Sequence, residues 1–213
     1  MIQSIVSKCY FLLSINKINN TNEMLLTKKT KKGNIKEYNV KEYIGTIDFE
    51  RKLKEVLTNY KIDIACLRDK TSNNIEELAE IFLKVCKKFS IEKILINSNL
   101  SLATKMKFDG IHLNSNQFNE IEKVKKLNLF TIISCHNFDE LEKASKLGLN
   151  FVTYSPIFDT PNKGEPKGIN NLDETIKKFP NLNIIALGGI ISDNQVKQIE
   201  KTSAYGFASI RYF

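Results

Sequence analysis

The sequence predicts an α/β protein, a (β/α)8 TIM barrel built as a single domain over residues 1–213. From residue 48 onward, short apolar strands alternate with amphipathic helices, which is the pattern of parallel β-α-β units. With an apolar run near the N terminus there are eight strands in about 200 residues, and this favours a closed barrel over an open doubly wound sheet. A chain that is 42% hydrophobic can bury one large core of this kind.

The first strand is predicted at residues 9–15, which are apolar almost throughout, as a strand covered on both faces should be. Residues 16–46 are predicted to be a basic insertion after it, with four lysines within residues 28–32. Gly33-Asn34 can turn a hairpin that pairs residues 24–27 with residues 35–40. A flexible basic segment is the alternative.

The regular pattern starts at Asp48, which is predicted to cap a helix carrying Phe49, Leu53 and Val56 at helical spacing. The later predicted strands span residues 62–67, 93–96, 110–113, 130–134, 151–154, 184–187 and 205–210. The helices between them are predicted to begin near residues 74, 100, 118, 138, 172 and 193. Because the sequence stops soon after the last strand, we expect a barrel that lacks its last helix.

The net charge of +8 and the pI near 9.2 come mainly from lysines scattered over predicted helix faces. No stripe of arginine with interleaved aromatic residues is present, so nucleic acid is not an expected partner. No run reaches the roughly 20 apolar residues that span a bilayer, and residues 2–15 are interrupted by Lys8 without a signal-peptidase site. The charge then fits small phosphorylated ligands.

The four cysteines form no C-x-x-C pair and have no histidine at metal-ligand spacing. Neither a zinc site nor a disulfide framework is indicated. Reduced thiols in the cytoplasm are therefore expected.

Polar residues gather where the predicted strands end, and active sites of TIM barrels lie at the rim formed by those ends. The polar strand ends are Arg68-Asp69-Lys70, Asn97-Ser98, residues 114–116, Ser134-Cys135-His136, Ser155 and Gly188-Gly189. The sequence therefore predicts one site at this rim.

A phosphate site is predicted at the ends of the sixth to eighth strands. Gly188 and Gly189 let backbone N–H groups approach a phosphate closely, and their place after the seventh strand favours this interpretation over the alternative of a tight turn. The long loop after the sixth strand, residues 155–168, contributes Thr160 and Lys163, and Arg211 follows the eighth strand. These cations supply the charge that a phosphate dianion favours.

His136 is the candidate for proton transfer, since a histidine at a strand end can act as acid or base near neutral pH. Side chains alternate along a strand, so Ser134 shares its face and Cys135 points toward the helices. His112, within the fourth strand, is expected to be a packing or supporting residue.

Arg68 and Lys70 share one face of their strand and fit an anionic substrate, with a salt-bridged rim as the alternative. No strand end offers paired carboxylates, so a magnesium site of the usual kind is not predicted.

Seven segments in the right order resemble the thiamine phosphate synthase superfamily, which includes the synthases and TenI-type thiazole tautomerases. The resemblance covers residues 63–210. The segments are Leu67-Arg68-Asp69-Lys70, Ile94-Leu95-Ile96-Asn97, Asp109-Gly110-Ile111-His112-Leu113, Ser134-Cys135-His136-Asn137, Ser155-Pro156-Ile157-Phe158-Asp159-Thr160 with Lys163, Ala186-Leu187-Gly188-Gly189-Ile190, and Gly206-Phe207-Ala208.

The resemblance implies a small thiazole phosphate as the substrate, and the synthases join it to a hydroxymethylpyrimidine diphosphate with Mg²⁺ assistance. Their metal aspartates fall at Ser98 and at residues 114–117 here, where this sequence has only Ser, Asn and Gln. Two further departures are Asn162, where the family usually carries Thr, Ser or Cys, and the expected lack of the last barrel helix. In addition, Arg211 stands where a phosphate-binding Ser is common.

The tautomerases also lack these aspartates and use the histidine matched by His136, so we expect a cofactor-free tautomerase that shuttles a proton through His136. The alternative is a thiamine phosphate synthase, for which Mg²⁺ is implied. A barrel that binds thiazole phosphate or a partner protein without chemistry is a third hypothesis, and a homo-oligomer stays open. The expected ligand contacts are Arg68, Lys70, Asn97, Ser134, Thr160, Lys163, Gly188, Gly189 and Arg211.

Overall fold

Eight parallel strands close into a barrel in this computed structural model, which describes residues 8–14, 25–29, 35–69 and 72–213, with side chains from residue 45 onward. The barrel strands are β1 (Lys8–Ser14), β4 (Ile64–Arg68), β5 (Lys93–Asn97), β6 (Gly110–Leu113), β7 (Phe130–Cys135), β8 (Phe151–Tyr154), β9 (Asn183–Leu187) and β10 (Gly206–Ser209). The barrel closes where β1 pairs with β10 on one side and with β4 on the other. The predicted α/β TIM barrel is confirmed.

Helices separate the barrel strands along the chain. They are α1 (Val40–Asn59), α2 (Ile75–Cys86), α3 (Leu100–Lys105), the 3₁₀ turn η1 (Phe118–Glu120) with α4 (Ile121–Lys126), α5 (Phe138–Lys146), α6 (Gly168–Lys178) and α7 (Asp193–Glu200). Two start at asparagines that satisfy free helical N–H groups: Asn99 Oδ1 accepts from Leu102 N at 2.9 Å, and Asn137 Oδ1 accepts from Glu140 N at 2.8 Å.

The core has two layers because successive strand residues face opposite sides. The outer layer packs the strands on the helices, as shown by the fully buried Ile111 on β6 and Ile133 on β7. The inner layer fills the barrel interior with Ile64, Cys66, Leu95, Ile132, Ile185 and Ala208. The residues of the inner face continue upward along each strand to the rim.

The insertion after β1 contains an antiparallel hairpin, β2 (Leu25–Lys29) paired with β3 (Ile35–Asn39). Leu25 lies opposite Asn39, and Thr27 opposite Glu37. This is the hairpin alternative of the sequence analysis. Residues 16–24 and 30–34, including the proposed turn at Gly33-Asn34, lie outside the described residues.

The prediction that Asp48 caps the first helix is wrong, because α1 begins eight residues earlier, at Val40. Asp48 lies inside the helix, where its Oδ1 accepts from Arg51 Nη2 at 3.1 Å. Residues 210–213, described after β10, contain no helix. No described helix combines the length and the apolarity needed to cross a membrane.

Candidate active site

A cavity of about 440 Å³ opens at the C-terminal ends of the barrel strands. Nine of the ten residues singled out from the sequence line it: Arg68, Asn97, Ser134, His136, Thr160, Lys163, Gly188, Gly189 and Arg211. The tenth, Lys70, lies outside the described residues. The structure thus brings these side chains together, while their individual roles stay predictions.

The cavity is electropositive. Three cations line it, Arg68, Lys163 and Arg211, and no Asp or Glu is among its lining residues in the described part of the chain. A concave surface with this balance attracts anions such as phosphates.

The β8–α6 loop, residues 155–167, forms one wall of the cavity and is tied to the end of β9. Ile157 N donates to the Leu187 carbonyl at 3.0 Å, and Phe158 N donates to the Gly188 carbonyl at 3.1 Å. Thr160 Oγ1 donates to the Phe158 carbonyl at 2.9 Å, so its hydroxyl stabilises the loop itself. The loop therefore holds Thr160 beside the two glycines.

Gly188 and Gly189 adopt φ angles of 98° and 69°, which side chains rarely tolerate. A Cβ on Gly188 would lie 2.8 Å from Pro156 Cα, and one on Gly189 would lie 2.4 Å from the Asp159 carbonyl oxygen. Both glycines are thus required by the close approach of the β8–α6 loop. The two glycines of the predicted phosphate cradle are therefore needed for the packing of this loop, whether or not they also bind phosphate.

His136 lies at the end of β7, half-buried in the cavity wall. Its Nδ1 is 3.1 Å from Ser155 Oγ and 3.3 Å from the Ser155 carbonyl oxygen, and its backbone N donates to Glu140 Oε2 at 2.6 Å. A carbonyl oxygen only accepts, so this geometry fits a tautomer with the proton on Nδ1. Cys135 is buried in the helix-facing layer, as alternation predicts.

His112 also lines the cavity, although the sequence analysis expected it to be a packing or supporting residue. Its side chain lies at the cavity floor, where Nε2 is 3.0 Å from Ser134 Oγ, while only 2% of the residue is exposed. Burial, with a smaller contribution from the nearby Arg68 charge, lowers the pKa of His112 to about 3. The ring is neutral at physiological pH and serves as a polar contact. His112 lies two positions before Asn114 and therefore shares its inward face, which is the signal that identifies it.

The β5–β6 rim, defined as Asn97, Ser98, Asn114 and Gln117, is a network of neutral side chains. Asn114 Nδ2 donates to Ser98 Oγ at 3.0 Å and to Gln117 Oε1 at 2.8 Å. Gln117 Nε2 donates to the Ser98 carbonyl at 3.0 Å, and Asn97 Nδ2 donates to the His112 carbonyl at 2.9 Å. Asn114 and Gln117 were noted from the sequence as polar residues after the fourth strand, but they were not among the expected ligand contacts. Their contacts bridge separate loops, which no local pattern reveals.

A divalent cation does not fit this donor set. Mg²⁺ prefers carboxylate oxygens, whereas the β5–β6 rim has only amides and one hydroxyl, bonded to each other. Glu120 accepts from Gln117 Nε2 at 3.0 Å, but this carboxylate does not line the cavity. Among the described residues, no three His, Cys, Asp or Glu side chains are grouped so as to hold a metal ion. That the protein needs no cofactor nevertheless stays a prediction.

Comparisons with known proteins identify relatives of this chain. The family model described as thiamine monophosphate synthase (TMP-TENI) matches residues 38–213. A thiamine-phosphate synthase of Pelagibacter ubique (strain HTCC1062) is 32% identical over 159 residues, which are 72% of this chain and 76% of the relative.

Solved structures with the same fold are more distant in sequence. Thiamine phosphate pyrophosphorylase from Pyrococcus furiosus superposes with a TM-score of 0.67 at 18% identity, over 95% of this chain and 85% of the other. A 4-hydroxy-2-oxoglutarate aldolase/2-deydro-3-deoxyphosphogluconate aldolase from TTHB1 gives 0.62 at 12% identity, over 96% and 84%. At these identities the likeness shows the fold alone.

The tautomerase prediction is wrong, because the matching family model and the 32% identical relative both carry the name of the synthase. It was inferred from neutral residues, such as Ser98 and Asn114, where the resemblance implies aspartates. The loss of a carboxylate affects which metal ion these residues can bind. It does not show which reaction the protein catalyses.

Proposed function

Because this chain belongs to the thiamine monophosphate synthase family, we propose that it is a thiamine-phosphate synthase that joins a hydroxymethylpyrimidine diphosphate to a thiazole phosphate. The observation that carries the proposal is the 32% identity to a thiamine-phosphate synthase over 72% of the chain. The electropositive cavity supports it, since both substrates are phosphorylated and three cations line the cavity.

The reaction is a substitution at the methylene carbon of the pyrimidine. The C–O bond to the diphosphate breaks and its electron pair leaves with the pyrophosphate, while the lone pair of the thiazole ring nitrogen forms the new C–N bond. This bond exchange needs no acid or base. The protein must align the two rings and stabilise the charge that develops on the leaving group.

Two groups of residues suit these tasks. The thiazole phosphate is assigned to Gly188, Gly189, Thr160 and Lys163, which meet at the mouth of β9 and in the β8–α6 loop. Arg211, which follows β10 and lines the same cavity, adds positive charge there.

The pyrimidine diphosphate is assigned to the other side of the cavity, with Arg68 as the cation for the diphosphate. Asn97 and the Ser134–His112 pair offer neutral hydrogen-bonding groups that suit the edge of a heteroaromatic ring. His136, held by Ser155, is assigned to substrate contact, because the bond exchange requires no proton transfer.

The test is a coupling assay with the purified protein and the two substrates. Thiamine phosphate is quantified by mass spectrometry and pyrophosphate by an enzyme-linked assay, each with MgCl₂ and with EDTA. Equal amounts of both products are expected. Thiazole phosphate that binds without forming any product under either condition would contradict the proposal and support the non-catalytic barrel.

Lys163→Gln tests the phosphate assignment. A hydrogen bond to a charged group contributes about 1.5–3 kcal/mol, so we expect the KM for thiazole phosphate to rise about 10- to 100-fold. Lys123→Gln is the matched control, because Lys123 is an exposed lysine on α4. Equal effects of the two variants, or no effect of Lys163→Gln, would contradict this assignment.

A further inference from the structure

The β5–β6 rim carries no formal charge, although two of its members, Asn97 and Asn114, line a cavity suited to phosphates. Its members are two asparagines, one serine and one glutamine. Enzymes that handle diphosphates commonly use carboxylates to hold a divalent cation that neutralises the phosphate oxygens. In this cavity other groups must neutralise those oxygens.

The side-chain oxygens of the rim are already engaged with protein donors. Gln117 Oε1 accepts from Asn114 N at 3.1 Å and from Asn114 Nδ2 at 2.8 Å, and Asn114 Oδ1 accepts from Asn116 N at 2.9 Å. Ser98 Oγ accepts from Asn114 Nδ2 at 3.0 Å and donates to Asn97 Oδ1 at 3.3 Å. A cation could recruit these oxygens only by breaking the network, and it would then receive neutral ligands instead of carboxylates.

Positive charge is instead present on side chains of the cavity wall. Arg68 ends β4, Lys163 belongs to the β8–α6 loop and Arg211 follows β10, so the three cations come from separate sectors of the barrel. Lys163 and Arg211 are assigned to the thiazole phosphate, which leaves Arg68 as the cation for the diphosphate.

We propose that no divalent cation is held at the β5–β6 rim, because Ser98 and Asn114 replace the carboxylates such an ion requires, and that the charge of the diphosphate ligand is met by Arg68 instead. The proposal takes from the proposed function only that one ligand carries a diphosphate.

The rim can be converted by two substitutions, Ser98→Asp and Asn114→Asp. Ser98 has φ 61°, a left-handed conformation that aspartate tolerates better than most residues. Asn114→Asp preserves the shape of the side chain. Because Asn114 Nδ2 and Ser98 Oγ are 3.0 Å apart, the two new carboxylates would be neighbours, and a bridging cation would relieve their repulsion.

The experiment measures binding of inorganic pyrophosphate by isothermal titration calorimetry, to the natural protein and to the double variant, in EDTA and in MgCl₂. For each protein the ratio of the dissociation constant in EDTA to that in MgCl₂ is taken. Mg²⁺ also binds pyrophosphate in solution, but this contribution is identical for both proteins and cancels when the ratios are compared.

We expect the ratio of the dissociation constant in EDTA to that in MgCl₂ to be at least 10-fold larger for the double variant than for the natural protein. We also expect Arg68→Gln to weaken pyrophosphate binding in EDTA at least 5-fold, with Arg51→Gln, an exposed residue of α1, as the unchanged control. A natural protein that responds to Mg²⁺ as strongly as the double variant would overturn the proposal. So would an Arg68→Gln variant that binds like the control, or a natural protein that does not bind pyrophosphate.

Folding of the variants is checked by circular dichroism, and Ser98→Asp alone replaces the double variant if that variant does not fold. Mn²⁺ binding, followed by electron paramagnetic resonance, gives a second readout, in which only the aspartate variant should retain the ion. Coupling activity is measured on the same preparations. Absence of product under every condition contradicts the proposed function, whereas the pyrophosphate ratios test this proposal independently.

Discussion

His112→Gln is expected to make the protein less sensitive to acid. In the folded protein the imidazole is buried and its pKa is lowered to about 3, from 6.5 in the unfolded chain. Between these values the unfolded chain binds a proton that the folded protein does not, so the free energy of unfolding falls as the pH falls below 6.5. Above pH 6.5 the residue is neutral in both states and has no effect of this kind.

The magnitude follows from the distance between the assay pH and the unfolded pKa. At pH 5 that distance is about 1.5 units, and at 1.36 kcal/mol per unit His112 lowers the free energy of unfolding by about 2 kcal/mol relative to pH 7. Glutamine keeps a polar group near Ser134 but does not titrate. All other titrating groups are shared by the two proteins, so their contributions cancel in the comparison.

The assay is urea unfolding at pH 7 and at pH 5, followed by circular dichroism because the chain contains no tryptophan. The stability lost between the two pH values should be about 2 kcal/mol smaller in His112→Gln than in the natural protein. Losses that agree within about 0.5 kcal/mol would show that His112 is not a buried neutral imidazole, and would refute the reasoning.

Two further predictions concern residues around the cavity. Gly189→Ala should cost about 2–4 kcal/mol in urea unfolding, because a Cβ would lie 2.4 Å from the Asp159 carbonyl oxygen at an unfavourable φ of 69°. Gly164→Ala, at a similar φ of 73° with open space around it, should cost only about 1 kcal/mol, and equal losses would contradict the steric explanation. Ser209→Ala should cost about 1–3 kcal/mol, because its buried hydroxyl donates to the Ile190 carbonyl at 2.8 Å and accepts from two backbone N–H groups. If Ser209→Ala leaves the free energy of unfolding unchanged in the same measurement, these hydrogen bonds make no net contribution to stability.

Local sequence patterns were sufficient to predict the barrel fold and many of the residues at its rim. A strand alternates its side chains with a period of two, so the inward orientation of Ser134 and the outward orientation of Cys135 could be read from the sequence. The order of strands and helices then determined that all these strand ends would meet at one rim.

Features that depend on tertiary contacts were not predicted. The start of α1 at Val40 was missed although Val40, Tyr43, Ile44 and Ile47 recur at helical spacing. Gly45 weakens that pattern, and Asp48 is a residue type that commonly caps a helix. The burial of His112 depends on barrel closure, which removes water from its inner face. Gln117 bonds the Ser98 carbonyl across 19 positions of sequence, a contact that no local pattern encodes.

The reaction was the part on which sequence reasoning failed. Neutral residues at Ser98 and Asn114 were interpreted as a sign of the tautomerase branch, whereas similarity spread over 72% of the chain points to the synthase. Ser98 and Asn114 carry information about one part of the cavity only. Sequence identity over most of the chain reflects the ancestry of the whole protein.

The β8–α6 loop is closed at its base by its own backbone. Lys167 N donates to the Pro156 carbonyl at 2.9 Å and Gly168 N to the Ile157 carbonyl at 3.0 Å, while Phe158 N bonds the Gly188 carbonyl. Residues 159–166 therefore leave and rejoin the barrel at almost the same point. Because both ends of this segment are held by these bonds, we expect the segment between them to accept the equivalent loop of a relative while the strands below keep their pairing.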